Sequence, residues 1–481
     1  MNLKELIIDL KPIEVIGDLN QDIKAITFDS RQATEGSLFV AVNGTSVDGH
    51  TFIPNVVNQG VTAIVCEKIP EQTNKICFIR VESSQKAVAL LANKWFDYPS
   101  RKLTLVGVTG TNGKTTIATQ LYKLTRQLGH KSGLLSTVCN YIDDKAVPST
   151  HTTPDALELN GLLNQMVEAG CEYAFMEVSS HSVVQDRICG LDFDGGVFTN
   201  LTRDHIDYHK TFEAYRDAKK SIFDSLKKDA FVVTNKDDRN GLVMTQNTKA
   251  KVFTYSLTSL ADFKGHILEE DFDSMQLVIN GTEVILPLVG RFNAYNALAI
   301  YGAATCLGFE SIEVLRIMSQ LRPVNGRFET IRSAKGWTAI VDYAHTPDAV
   351  KNVIDTINLI RKPSTRLITV IGCGGNRDKG KRPMMAQEAI KGSQMVILTS
   401  DNPRDEEPQV IINDMKQGLT KEQERQTLTI VDRHEAIRTA CLMAQENDVI
   451  LVAGKGHEDY QIIKGVKHHF DDHEVIKELA N

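Results

Sequence analysis

Val108-Thr109-Gly110-Thr111-Asn112-Gly113-Lys114-Thr115-Thr116 follows an apolar run, Leu103 to Val108. It precedes a helical pattern, Ile117 to Leu128, closed by Gly129. The run reads as a buried strand. Strand, glycine-rich turn and helix is the order that cradles phosphate. Gly110 and Gly113 let the backbone curl so that its N–H groups face phosphate oxygens, and the helix N-terminus adds partial positive charge. Lys114 can reach the outer phosphates and the Thr115 hydroxyl can bind Mg²⁺. The spacing is Gly-x-x-Gly-Lys-Thr; the outer glycine of the longer phosphate-loop pattern would fall at Val108. A tight turn before a helix is the plain alternative, but strand, glycines, lysine and hydroxyl together favour a nucleotide site.

The 481 residues leave room for two to four domains with their own cores. Apolar content of 42% and charged content of 24% are ordinary globular values. The net charge of −7 gives no electrostatic case for nucleic acid. Met1 to Leu10 does not read as a signal peptide, and no apolar run approaches a membrane span. The eight scattered cysteines form no Cys-x-x-Cys pair and read as reduced thiols, which points to the cytoplasm.

In the first hundred residues, Ile23–Phe28, Leu38–Val42, Val61–Cys66 and Ile76–Val81 read as strands of a small α/β domain. Ser30 and Arg31 suit either a turn with a cap or a polar ligand. Tyr98-Pro99-Ser100 reads as a linker.

Three clusters follow the loop. His151-Thr152-Thr153-Pro154-Asp155 precedes a helix from Ala156, where capping is the simplest role. Glu177 ends the apolar strand before Val178-Ser179-Ser180-His181; a solvated carboxylate is the plain reading there, and the position after a phosphate loop makes a second Mg²⁺ contact its equal. Phe198 to His209 is dense in Asp and His, with His205 and His209 four apart. The His-Glu-x-x-His zinc pattern is absent. Pattern alone places Lys219 and Lys220 on a solvated helix face. Asn293 and Asn296, three apart on a helix, could contact a purine or cap the helix. Arg322 to Phe328 breaks the pattern and reads as a boundary.

Downstream, Thr338–Val341, Leu367–Ile371, Met395–Thr399 and Val449–Val452 alternate with amphipathic helices, predicting a parallel doubly wound sheet. Polar clusters stand at the strand ends, where such sheets bind ligands. Gly372-x-Gly374 lacks the third glycine of a dinucleotide fingerprint. Asp401, Arg404 and Glu458 could hold a zwitterion. The tail from His468 to Glu474 reads as a loop and a helix start capped by Asp472 rather than a metal tract.

Taken together these clusters resemble the Mur ligases, which build the peptide stem of bacterial cell wall precursors. The resemblance covers nearly the whole chain. The loop is shared with folylpolyglutamate synthases; Asp29-Ser30-Arg31, His151 to Pro154, Glu177 to His181 and Asp401-Asn402-Pro403-Arg404 are more selective. The last run is typical of members that add meso-2,6-diaminopimelate, whereas members that add L-lysine usually lack its arginine. A second carboxylate wants a fork-shaped cation, which gives Arg404 its physical sense.

The resemblance implies three α/β domains: residues 1–99 binding a UDP-sugar, 100–327 a central phosphate-loop ATPase with a mostly parallel sheet, and 328–481 a Rossmann-like doubly wound domain for the amino acid. It implies that Ser30, Thr152, Thr153, Ser179, Gln185 and Arg187 hold UDP-N-acetylmuramoyl-L-alanyl-D-glutamate. Gly110, Thr111, Asn112, Gly113, Lys114, Thr115, Thr116, Asn293, Asn296, Arg327 and Asp342 would hold ATP. Arg377, Asp401, Asn402, Pro403, Arg404, Gly454 and Glu458 would hold diaminopimelate. Thr115, Glu177, His205 and Lys219 would ligate one or two Mg²⁺ ions, with Lys219 carrying a CO2-derived carbamate. That overrides the solvated-face reading, because an ammonium repels Mg²⁺ and a carbamate attracts it.

The implied reaction is an ATP-dependent amide ligation through an acyl phosphate, with Lys114, Lys219, Glu177 and His205 as its catalytic groups. A monomer acting on small molecules is expected. The rivals are the same ligation with L-lysine or another diamino acid, a folylpolyglutamate-synthase-like ligase, and a phosphate-loop switch protein that needs no amino-acid pocket.

Overall fold

The computed structural model describes residues 1–44, 47–71 and 76–480. Its strands form three main sheets, each with helices against it.

The first sheet is five-stranded, in the order Glu14–Ile16, Cys77–Arg80, Ala63–Cys66, Ser37–Val40, Ala25–Thr27. Only its Glu14–Ile16 edge is antiparallel. The four predicted strands are present; the exposed Glu14–Ile16 edge is an addition.

The second sheet has eleven strands. Seven run parallel through its middle, in the order Phe263–Glu270, Lys251–Ser256, Phe231–Asn235, Gly195–Phe198, Thr104–Thr109, Tyr173–Glu177, Ser132–Leu135. Short antiparallel strands extend both ends. Parallel strands are covered on both faces, which explains why Thr104–Thr109 is apolar throughout. Val106 and Val108 pack with Ile117 and Leu121 on one face, while Leu105 meets Phe193 and Phe198 on the other. The alanine-rich helix Arg291–Cys306 is largely buried against this sheet and the Lys114–Gln127 helix. The chain leaves Thr104–Thr109 first to one side and later to the other. That makes its carboxyl end a topological switch point, the place where open α/β sheets bind ligands.

The third sheet runs Glu329–Arg332, Thr338–Asp342, Val449–Ala453, Leu367–Ile371, Met395–Leu398, Thr427–Thr429. All of it is parallel except the Glu329–Arg332 edge. Apolar cores fill both faces. The fold is therefore α/β in three domains. Among the described residues no helix is long and apolar enough to cross a membrane.

One local reading is corrected. Asp472 does not cap the last helix, Asp472–Ala480; it is buried in a two-bond ion pair with Arg433, and Asp471 accepts the His473 N–H instead. A buried guanidinium needs a carboxylate, and that need outweighs an exposed cap. Tyr98-Pro99-Ser100 lies between the helix Ser84–Trp95 of the first domain and the strand Thr104–Thr109 of the second sheet, where the sequence predicts a linker. Tyr98 is left-handed (φ 51°) and leads into a short 3₁₀ turn, Pro99–Lys102.

Candidate active site

The phosphate loop leaves the switch point as the sequence predicts, and its helix begins at Lys114, three residues before the apolar pattern. Gly110 (φ 149°) and Gly113 (φ 89°) have backbones that side chains rarely adopt. A Cβ at Gly110 would sit 1.8 Å from Thr199 Oγ1, and one at Gly113 2.5 Å from Asn296 Oδ1. The loop is braced from the next strand's end: Thr111 N–H donates to Asn200 O (2.8 Å) and Asn112 N–H to Asn200 Oδ1 (3.0 Å). Thr116 is buried in the first helical turn. Lys114 Nζ donates to Gly110 O (2.9 Å) and Thr111 O (2.8 Å). Burial depresses its pKa, while Glu177 and Asp204 oppose the shift.

Glu177 is 1% exposed and fully engaged. Its Oε1 accepts Ser136 Oγ (2.7 Å) and Thr137 N–H (2.8 Å); its Oε2 accepts Thr115 Oγ1 (3.0 Å). Arg327, arriving from the third domain's side, donates from Nη2 to the same Thr115 hydroxyl (3.1 Å). His205 is left-handed (φ 54°) and its Nε2 lies 3.3 Å from Asp204 Oδ2. Burial lowers its pKa, and the Asp204 carboxylate opposes the shift. Lys219 corrects the pattern reading: it is 2% exposed, not solvated. It lies over the Tyr215 ring and donates to Gly110 O (2.8 Å). Burial, then the charge of Lys114, pushes its pKa well below the usual lysine value.

These donors suit Mg²⁺ in part. Thr115 and Glu177 supply hard oxygens side by side, the donor type that Mg²⁺ prefers. Lys219 as an ammonium does not fit; as a carbamate it does. Among the described residues no three His, Cys, Asp or Glu side chains group to hold a metal without a substrate.

Five residues of the expected muramoyl-peptide set form one network beside Glu177. Thr152 Oγ1 accepts Thr137 Oγ1 (3.0 Å). Thr153 Oγ1 donates to Glu177 O (2.8 Å) and accepts Ser179 N–H (3.1 Å). Arg187 donates from Nη1 to Thr153 O (2.7 Å) and from Nη2 to Gln185 Oε1 (2.6 Å). Among the described residues the Arg187 guanidinium has no carboxylate partner, and burial lowers its pKa. Ser30 lies apart from them, half-buried after Ala25–Thr27 in the first domain.

Asn293 and Asn296 sit on the Arg291–Cys306 helix, where Asn296 Nδ2 donates to Asn293 Oδ1 (3.0 Å). Neither caps it; the helix begins at Arg291. Asn293 and Arg327 line one cavity of about 610 Å³. Asp342, at the end of its strand, accepts Phe328 N–H (2.7 Å), and burial raises its pKa to about 6.

The amino-acid set gathers at the third sheet's strand ends. Asn402 Nδ2 donates to Glu458 Oε2 (2.7 Å) and Asp401 Oδ1 (3.1 Å). Gly454 (φ 115°) leaves room for Asp401, whose Oδ2 a Cβ there would approach to 2.6 Å. Buried Pro403 leads into left-handed Arg404 (φ 51°), whose Nη1 donates to Gly375 O (2.9 Å). Its guanidinium has no carboxylate partner among the described residues. Burial is the main cause that lowers the pKa of His181, and exposed Arg377, across the cleft, is near enough to add to it. Arg382, fully buried, makes a two-bond pair with Glu406 and so joins the loops that carry Arg377 and Arg404.

Sequence reasoning missed Asp204, Ser136, Thr137 and Asp348. Asp348 accepts Asn112 Nδ2 (3.1 Å), tying the phosphate loop to the third domain. Only the position of Ser136, directly after Ser132–Leu135, signalled its role.

A phosphate loop, a hydroxyl–carboxylate corner and an acid-plus-arginine pocket on a facing domain define a three-domain, phosphate-loop group-transfer enzyme. Residues 22–99 match the Mur ligase family catalytic domain, 108–304 the Mur ligase middle domain, and 326–456 the Mur ligase glutamate ligase domain. The chain belongs to the Mur ligase family. It is 62% identical to the UDP-N-acetylmuramoyl-L-alanyl-D-glutamate–2,6-diaminopimelate ligase of Parabacteroides distasonis, over 100% of this chain and 99% of the relative. It is 60% identical to the ligase of the same name from Phocaeicola vulgatus, with the same coverage. A solved structure of a ligase so named superposes with a TM-score of 0.68 at 34% identity, covering 100% of this chain and 98% of that one.

Proposed function

We propose that the protein is an ATP-dependent ligase that joins meso-2,6-diaminopimelate to the D-Glu γ-carboxylate of UDP-N-acetylmuramoyl-L-alanyl-D-glutamate, in peptidoglycan precursor synthesis. The observation that carries this reading is the Arg404 guanidinium, held by the Gly375 carbonyl and without a carboxylate salt bridge among the described residues, beside the Asp401–Asn402–Glu458 cluster. An arginine for one acid group and carboxylates for an ammonium fit an amino acid with a second charged end. The names of the full-length relatives supply the rest.

In this reading residues 1–99 hold the UDP group with Ser30, 100–327 hold ATP and the dipeptide, and 328–481 hold the amino acid. A free carboxylate is a poor acylating agent, because oxide is a prohibitive leaving group. The γ-carboxylate attacks the terminal phosphorus of ATP, forming an acyl phosphate and ADP. The amine then attacks the acyl carbon and phosphate leaves. Arg187, with Thr153 and Ser179, orients the peptide. Lys114 turns from Gly110 O to the transferring phosphoryl group and offsets its charge. Mg²⁺, held by Thr115, Glu177, His205 and a Lys219 carbamate, would supply further charge neutralisation. Asn293 and Asn296 face the purine; Arg327 and Asp342 grip the nucleotide from the other domain. Closure of the third domain excludes water from the acyl phosphate.

The test is phosphate release with each substrate omitted in turn. Release that needs both the dipeptide and diaminopimelate is expected. Release with ATP alone would favour a switch protein, and equal rates with L-lysine would replace the assigned acceptor.

A further inference from the structure

A second cavity, of about 480 Å³, lies behind the phosphate-loop helix. That volume suits a small organic ligand. Tyr122 and Lys123 of the Lys114–Gln127 helix line it together with Cys139, Tyr141, Val324 and Asn325. The Tyr122 and Tyr141 rings stack with centroids 5.2 Å apart. Tyr122 is pinned by its hydroxyl, which donates to Asp143 O (2.7 Å). A flat, fixed aromatic wall results.

The Lys123 ammonium is half-buried on this cavity and has no partner among the described residues. Burial alone lowers its pKa. One turn on, Arg126 is held by Asp143 and Asp144. A half-buried cation without a counter-charge is partly desolvated at a cost, and an entering anion lowers that cost. Asn325 also lines the cavity that contains Asn293 and Arg327, so one short segment separates the two spaces.

We propose that this cavity binds a small planar organic anion, its ring against the tyrosines and its acid group on Lys123. Through the shared Asn325 wall it acts as an effector site on the segment that carries Arg327, which bonds Thr115 (3.1 Å). None of its six named residues belongs to the catalytic sets described above.

Naphthoate is the probe, used with the full-length chain. N-ethylmaleimide modification of Cys139, followed by peptide mass spectrometry, reports occupancy because that thiol lines the cavity. Naphthoate is expected to slow modification of Cys139 and leave that of Cys306 unchanged. Lys123→Met should weaken this protection by about tenfold, the loss of one charged hydrogen bond. Lys123→Gln is the second variant, with an unchanged unfolding temperature as the folding control. Saturating naphthoate should also shift the ADP dissociation constant by at least about twofold, and Lys123→Met should abolish the shift. Equal protection in the variants, equal protection by uncharged naphthol, or full displacement of naphthoate by ADP would each overturn the proposal. An unshifted ADP affinity would overturn its effector part.

Discussion

Lys114 and Lys219 direct their ammonium nitrogens at one carbonyl oxygen, that of Gly110, at 2.9 and 2.8 Å. Two like charges beside one acceptor are unfavourable unless one of them is given up. Lys219, buried and beside Lys114, is the one whose pKa falls well below its usual value. A neutral buried amine is the species that adds CO2.

Enzyme depleted of CO2 should therefore lose activity, and bicarbonate should restore it. Lys219→Arg, a permanent cation, should lower kcat at least about 100-fold by placing positive charge where metal ligation is expected. Carbon-13 NMR with labelled bicarbonate should show a carbamate signal that the variant lacks. An active Lys219→Arg enzyme would remove the carbamate from the reading.

Lys114→Ala should lower kcat by about 10² to 10³-fold, since it removes one preorganised charge from the transferring phosphoryl group. Binding of the muramoyl-dipeptide, measured by calorimetry, should remain, because the residues proposed to hold it lie around Thr153 and make no bond to Lys114. ADP release at the parent rate would contradict the assigned role.

Arg404→Lys should raise KM for diaminopimelate by about 10 to 100-fold, the cost of exchanging a fork for a point charge. The KM for ATP should stay within about twofold. The preference over L-lysine should shrink with it, because lysine has no second carboxylate to lose contact with.

Glu406 gives a pH prediction. The Arg382 guanidinium is the main cause that lowers its carboxyl from 4.5 to about 2. A depressed carboxylate stabilises the fold above its unfolded pKa. That contribution is lost as pH falls from about 4.5 towards 2. Glu406→Gln should cost roughly 2 kcal/mol near neutrality, allowing for its partial exposure, and flatten the acid limb of the stability curve. Urea unfolding at about pH 7 and about pH 3 measures both effects. Parallel acid limbs in parent and variant would show that the pair contributes nothing there.

The phosphate loop was legible because its chemistry is local: residue types, order and flanking elements all lie within one short stretch. The strands of the third sheet that bear the ligand loops were legible for a similar reason, being short apolar runs between helical patterns. Edge strands such as Glu14–Ile16 and Thr427–Thr429 were not, since they are short and bury too little to alternate. Lys219 shows the deeper limit. Helical spacing names a face but not what covers it; here the loop carbonyl of Gly110 arrives from outside the helix, while Tyr215 covers Lys219 from one turn back on the same helix. Asp348 was hidden likewise, because its partner Asn112 lies 236 positions away.

The notch at Gly110 has a bearing on inhibitor design. Thr199 Oγ1 and the Asn200 backbone stand so close that no side chain can be introduced there without pushing the loop apart. A compound seated against that notch meets a contour that substitution of Gly110 cannot redraw without displacing the loop. Escape through Gly110 itself is thereby closed, whereas the exposed Arg377 offers no such protection.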